Sequence, residues 1–484
     1  MSGLTHYLGI DVGTTATKAT LVRSDGEVLG RSRVKHIARP SEPGRVDPSI
    51  WWTSVMGACA ALQPLSVQPS AIGLSVHCPV LIPLSETGEP VAMGYRFETP
   101  GLAEIVAAIG ARSGAGRDDN LTGNRLASAT AIMASHQLIS SEAFRRARWL
   151  GSIGTFLGMR LTGRAAIDGS QASYTGIFDV VGRSGWSEAR AQKFEVPIDL
   201  LPPLLGASEV LGALTSEAAA ALGLDAGTPV AVGGGDTAAA ALAAGLDGRS
   251  NTLLTLGTTH VVTRRAGSPV LDNRLLLQRT HVDDASWLLH GATNGGLALS
   301  VGANLIGLEV GELIRMATEL SWRDRVEAPV FVPHVIAERG PFWQDSPLSG
   351  LIGLTSETDK HAAAWAVLEG VFFADRVVLE VVADPEPEKA IILNVDLASS
   401  SSLAQVASDV LGVPLAVCSE SHLSARGASV LAARSAGCDL PPTSPDVTYT
   451  PDDDAAQVVE GRRERFLRAR TALLQMTGVT SSVS

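Results

Sequence analysis

The chain predicts an α/β protein of two similarly folded domains that face each other. Three observations carry this. Residues 7–22 read as strand, small-residue turn, strand, with Tyr7-Leu8-Gly9-Ile10 ending at Asp11 and Thr17 to Val22 resuming after Val12-Gly13-Thr14-Thr15. The same pattern returns in Thr252-Leu253-Leu254-Thr255-Leu256, Gly257-Thr258-Thr259 and His260-Val261-Val262-Thr263. The composition, 484 residues at 45% hydrophobic and 18% charged, supports large cores and excludes global disorder.

The remaining elements follow in order. Asp25-Gly26 makes a tight turn, and Glu27 to Val34 forms a third strand, so the opening is an antiparallel meander. Asp47 is a helix N-cap and Pro48 suits the first helical position. Trp51, Trp52, Val55, Cys59 and Leu62 then recur at helical spacing. Ala71 to Val76 and Leu81 to Leu84 read as buried strands. Leu121 to Leu204 mixes helices with glycine-rich turns. Pro229 to Val232 is a short strand that runs through Gly233-Gly234-Gly235-Asp236 into an alanine-rich helix. The polar joint Asp247-Gly248-Arg249-Ser250 divides the chain into domains 1–247 and 248–484.

The net charge of −12 argues against a general nucleic-acid binder, which needs a basic face. Cys59, Cys78, Cys418 and Cys438 fit neither a disulfide framework nor a short metal spacing, so they are expected to be packed as small apolar residues. The start lacks a basic-then-apolar leader, and no run of about 18 apolar residues appears. The expected location is the cytoplasm. No nucleic-acid or membrane partner is expected, and a homodimer is an admissible assembly.

Two places carry chemistry. Asp11 at a strand end, followed by a turn of small residues, is suited to a hydrated Mg²⁺, and is the candidate metal ligand. Thr14 and Thr15 can offer hydroxyl and N–H groups to phosphate oxygens, with Lys18 adding charge. A plain hairpin with ordinary Asp-x-Gly turn chemistry reads the same segment without function. The second Gly257-Thr258-Thr259 hairpin tips the balance, because two such turns can clamp a nucleotide from both sides. Asp236 follows three glycines, which leave room above its carboxylate. It is either a helix N-cap or a base that takes a proton from a hydroxyl attacking phosphorus.

In their joint order, a series of segments resembles the FGGY family of carbohydrate kinases, closest to the xylulokinase-like branch. They are Leu8-Gly9-Ile10-Asp11-Val12-Gly13-Thr14-Thr15, Gly44-Arg45-Val46-Asp47-Pro48 with Trp51-Trp52, Leu161-Thr162-Gly163, Ala172-Ser173-Tyr174-Thr175-Gly176 with Phe178-Asp179, and Gly234-Gly235-Asp236-Thr237. Leu256-Gly257-Thr258-Thr259, Gly291 to Gly296, Glu338-Arg339-Gly340-Pro341 and Leu368-Glu369-Gly370 complete the set. The resemblance implies two actin-like, ribonuclease-H-like domains around a catalytic cleft. It also implies transfer of the ATP γ-phosphate, with Mg²⁺, to a sugar or polyol hydroxyl.

By the same resemblance Asp236 is the catalytic base and Asp11 the metal-linked carboxylate. Thr14, Thr15, Lys18, Gly257, Thr258 and Thr259 hold phosphates, and Gly295 and Gly296 lie on the nucleotide side. Three departures accompany it. Ser75-Val76-His77-Cys78 replaces the family's Ser-Gly-Gln, which makes His77 a candidate for a sugar hydroxyl. Gly94-Tyr95-Arg96-Phe97-Glu98 replaces Trp-x-Asp-x-Arg, so Tyr95 and Arg96 are the substrate-side candidates. Arg96 suits an anionic group better than a neutral polyol. Val395-Asp396-Leu397-Ala398 replaces a glycine-rich adenosine segment, with Asp396 and Ala398 expected at the nucleotide. The alternative reading is a family member that has lost or changed phosphotransfer.

Overall fold

The computed structural model describes residues 4–37, 43–63, 67–112, 119–246, 250–270, 277–338, 340–342, 347–382, 390–395 and 401–477. The opening meander forms as expected: β1 (His6–Val12), β2 (Ala16–Arg23) and β3 (Val28–Lys35) pair antiparallel in sequence. Helix α1 (Ser49–Ala60) follows, burying Trp51, Val55 and Cys59 against the sheet. Asp47 does cap it, accepting from the Ser49 N–H at 2.9 Å, although Pro48 holds the formal cap position. The chain then returns as β4 (Ala71–Val76), parallel to β1. The crossover from meander to parallel strand is the one feature that the antiparallel reading of the opening does not contain.

After the short helix α2 (Gly169–Ala172), β5 (Val210–Ala213) and β6 (Pro229–Ala231) complete the first sheet in the order β3-β2-β1-β4-β6-β5. Gly234–Gly235 adds a further pairing to β4 and leads into α3 (Asp236–Ala243). The strands at the centre are buried on both faces, which is why they read as continuous apolar runs.

The second half repeats the plan. Strands β7 (Thr252–Thr255), β8 (His260–Ala266), β9 (Leu277–Thr280) and β10 (Trp287–Thr293) precede α4 (Gly295–Leu305) and the long α5 (Lys360–Val382). Then come β11 (Ile391–Asn394), β12 (Leu415–Cys418), α6 (Leu423–Ser435), β13 (Val447–Tyr449) and α7 (Asp453–Thr477). The sheet order is β9-β10-β8-β7-β11-β12-β13. Like β1, β7 has an antiparallel neighbour on one side (β8) and a parallel one on the other (β11). The expected duplication is therefore a duplication of topology.

The halves are joined by α6, which lies on β1 and β4 and crosses α3. A Cβ on Gly9 would stand 2.0 Å from the Ala425 carbonyl, and one on Gly427 would stand 1.9 Å from that of Ala239. Backbone approaches this close exclude any side chain. Arg31 binds both oxygens of Glu420, at 2.9 and 2.6 Å, across the same seam. The expected joint at Asp247 to Arg249 lies outside the described residues.

All four cysteines are free. Burial pushes the Cys59 thiol up to about 12, as expected of a packed, unreactive side chain.

Candidate active site

Asp11 ends β1 opposite Lys18 of β2, and its carboxylate is buried. Ser75 donates its hydroxyl to Asp11 Oδ1 at 2.8 Å. Burial, and then the negative charge of Asp236, raise the Asp11 carboxyl to about 7, partly offset by Lys18 and Ser75. A buried carboxylate whose ionisation a neighbouring negative charge opposes is relieved by a cation. Among the described residues no three His, Cys, Asp or Glu side chains gather as a metal cage. Mg²⁺ keeps most of its water and binds through one or two carboxylates plus phosphate oxygens. Asp11 is the residue that would hold it.

Asp236 is half-buried at the first turn of α3. Its Oδ1 accepts from the Thr237 N–H at 2.7 Å, and burial raises its carboxyl against the lowering fields of Arg279 and Lys18. The three glycines before it have separate reasons. Gly233 has φ +81° and would strike Leu74, and Gly234 would strike Val282 of the second half at 2.4 Å. At Gly235, next to Asp236, the nearest atoms are the Ser170 hydroxyl at 3.6 Å and Cys78 Sγ at 3.8 Å. So two glycines serve packing, and at Gly235 a Cβ would meet only ordinary contacts; the room that the sequence suggested above all three is not their common feature. The Gly235 N–H donates to Ser170 Oγ at 2.9 Å, and Asp168 caps α2 through Ser170 and Gln171.

The two threonine turns are exposed. Thr14 and Thr15 project between β1 and β2, and Gly257, Thr258 and Thr259 between β7 and β8. The second turn is built into α4: its carbonyls at Gly257 and Thr258 accept from the N–H groups of Gly296 and Leu297 at 3.1 and 2.9 Å. A Cβ on Gly296 would lie 2.5 Å from the Gly257 carbonyl, so this glycine is fixed by the turn itself. Gly295 is buried against the His260 ring. Both are thus seating residues for the turn.

His77 is buried, donating from Nδ1 to the Val12 carbonyl at 3.2 Å and packed edge-on to Trp51. Burial holds its ring neutral, with a pKa of about 4, and Nε2 has no partner. Arg96 lies near enough to add to that lowering, and pairs with Glu98 at 2.9 Å. Tyr95 is a correction. Its ring is enclosed in the core, and its hydroxyl donates to the Leu138 carbonyl at 3.2 Å, with Arg45 stacked at 3.9 Å. It supports the strand that carries Arg96, and does not present a face to substrate. Asp396 and Ala398 lie outside the described residues.

Sequence reasoning missed the surroundings of Asp236: Arg279, Tyr174, Cys78 and Asp168. Cys78 feels the charges of Asp236, Asp168 and Arg279, and Tyr174 feels Arg279, Cys78 and Asp236. No local signal marks Arg279, since its strand, Leu277-Gln278-Arg279-Thr280, is polar in any case.

The two halves match the N-terminal and C-terminal domain models of the FGGY family of carbohydrate kinases, over residues 6–243 and 253–436. Xylulose kinase of Escherichia coli K12 is 28% identical over 97% of this chain and 99% of its own. A glycerol kinase of Thermococcus gammatolerans is 25% identical over 84% of each. Among solved structures, a xyloylose kinase from Brucella ovis superposes with TM-score 0.87 at 24% identity, covering 97% of this chain and 100% of that one. Gluconate kinase from Lactobacillus acidophilus gives 0.89 at 21%, covering 97% and 98%. These structures share the two-domain, actin-like fold. No single helix among the described residues is long and apolar enough to cross a membrane. With both domain models matched in order, the chain belongs to the FGGY family of carbohydrate kinases, as a xylulokinase-like member.

Proposed function

We propose that this kinase transfers the γ-phosphoryl group of ATP to a hydroxyl of a small polyhydroxylated acceptor, with Asp236 as general base. The observation that carries the reading is the pairing of Asp11 and Asp236. Asp11 near the end of β1 and Asp236 at the start of α3 lie on either side of β4, close enough for the charge of Asp236 to raise Asp11, beside the exposed Thr14-Thr15 turn.

The acceptor O–H gives its proton to Asp236 as its oxygen attacks the γ-phosphorus, and the bond to the ADP oxygen breaks. A carboxylate raised by burial is a stronger base than a free one, while Arg279 and Lys18 keep that rise in check. Thr14, Thr15 and Lys18 would meet phosphate oxygens from one side, and Thr258 and Thr259 from the other. Bound Mg²⁺ supplies charge neutralisation at those oxygens, and Asp11 would hold it. His77, with Nδ1–H committed to Val12, presents an Nε2 lone pair that suits an acceptor hydroxyl. The domains 1–247 and 248–484 would form the acceptor side and the nucleotide side.

The relatives' names point to ketoses, polyols and sugar acids as acceptor classes. The test is acceptor-dependent ADP release from Mg-ATP across a panel of those classes. Turnover with at least one acceptor supports the reading. ATP binding without transfer to any of them, in either metal-free or Mg²⁺-containing buffer, overturns it.

A further inference from the structure

We infer that Arg279 is a specificity-determining residue, and that the acceptor carries an anionic group, a carboxylate in the simplest case. This rests on the phosphotransfer reading above and narrows its substrate class.

Arg279 sits on β9 of the second half and is 1% exposed. Its Nη2 donates to His290 at 2.6 Å, and its guanidinium carbon lies 4.7 Å from the centre of the Tyr174 ring, which the first half supplies. Nε and Nη1 meet no acceptor in good geometry, and the guanidinium also interacts with the Tyr174 hydroxyl. No carboxylate among the described residues forms an ion pair with it, although Asp236 lies within its field. A guanidinium always carries its charge, and burying one without a counter-ion costs several kcal/mol on the usual scale. The protein keeps that cost at the seam between its halves, among Asp236, Tyr174 and Cys78, where an acceptor hydroxyl must also come.

A neutral polyol can accept from the guanidinium but leaves the charge unpaired. A carboxylate pairs the charge, and charge-assisted bonds to guanidinium are the stronger class. Arg96, the cation that the sequence offered for this task, is already paired with Glu98. Arg279 is the buried cation beside Asp236, with Nε and Nη1 not engaged by a carboxylate.

The probes are aldonates, from threonate to gluconate, set against the alditols of the same carbon skeletons. Binding is read by calorimetry and turnover by ADP release. At least one aldonate should exceed its alditol in kcat/KM by about 10- to 100-fold, the usual worth of a hydrogen bond to a charged group. Arg279→Gln should erase that preference, chiefly through KM, while any change in kcat from the loss of its field at Asp236 should fall on both classes alike. Arg279→Lys should retain part of it. Turnover of alditols alone, or an equal loss of kcat/KM for both classes in Arg279→Gln, sinks the anchor and spares the kinase reading. An aldonate that binds through Arg279 while neither class receives phosphate spares the anchor and sinks the kinase reading. If no aldonate binds the wild-type protein, the anchor is wrong.

Discussion

Thr14-Thr15 in the first half and Thr258-Thr259 in the second stand on matching strand–turn–strand units, yet what lies beneath them differs. Under the first turn is Asp11, a buried carboxylate with one hydroxyl donor and a rising pKa. Under the second is Asp375 of α5, fully buried and accepting from Thr293 Oγ1 and His260 Nδ1, both at 2.6 Å. Beside it, Glu338 accepts from the Asn294 N–H at 2.8 Å and from His334 Nδ1 at 2.6 Å, with Arg470 donating to the far side of that histidine. One carboxylate is left short of partners and the other two are fully engaged. Duplication preserved the turn, while the acids below it took opposite duties. The first half holds charge ready for a ligand, and the second spends its charge on holding the turn still.

That contrast is open to breakage. Removing Asp375 should cost the fold most. Asp375→Ala leaves a buried histidine and a threonine hydroxyl unpaired, and loss of one partner from such a buried set costs about 3–5 kcal/mol. Urea denaturation at neutral pH should show that loss, and a change below about 1 kcal/mol would mean the network is not a brace.

Asp11→Asn should act in the opposite direction. The folded protein holds the Asp11 proton up to about 7, while the unfolded chain releases it near 3.8. Stability from this group is therefore complete below about pH 4 and is lost as pH rises to 7. The shift corresponds to at most about 4 kcal/mol. Without Mg²⁺ and nucleotide, Asp11→Asn should be more stable than wild type at pH 8 and equal to it near pH 4. A wild-type protein whose stability does not fall over that range would contradict the account of Asp11.

A further test concerns the seam. Gly427→Ala forces a methyl group to 1.9 Å from the Ala239 carbonyl, which only a backbone shift can relieve, so it should cost no less than ordinary overpacking, about 1–3 kcal/mol. Because α6 joins both halves, a single cooperative transition should shift as a whole. Two separate transitions in the variant would show that the halves unfold independently of α6.

Much of this was legible in the sequence because it was written locally. The two Gly/Thr turns announce themselves through strand residues on either side, Asp47 through its place before Pro48, and Asp236 through the glycines before it. What stayed hidden depends on distant partners. Nothing local shows that Gly427 meets Ala239, that Glu369 is consumed by Arg462 in the core, or that Tyr95 turns its hydroxyl to Leu138. Arg279 is the clearest case. Its meaning comes from Tyr174, more than a hundred positions earlier, and from donors that no carboxylate engages, which no spacing rule records. The glycines at 233 and 234 were read correctly as special, but for the wrong neighbour: sheet and Val282 rather than ligand.

The central claim is that the first half performs the chemistry through Asp236, and single-turnover phosphoryl transfer by Asp236→Asn tests it most directly. The amide keeps the shape of the carboxylate and the hydrogen bond from Thr237, so ATP and acceptor binding should survive. The transfer step should slow by about 10²- to 10⁴-fold, the usual share of a general base. A variant that binds both ligands and transfers phosphate at close to the wild-type rate would remove Asp236 from the mechanism.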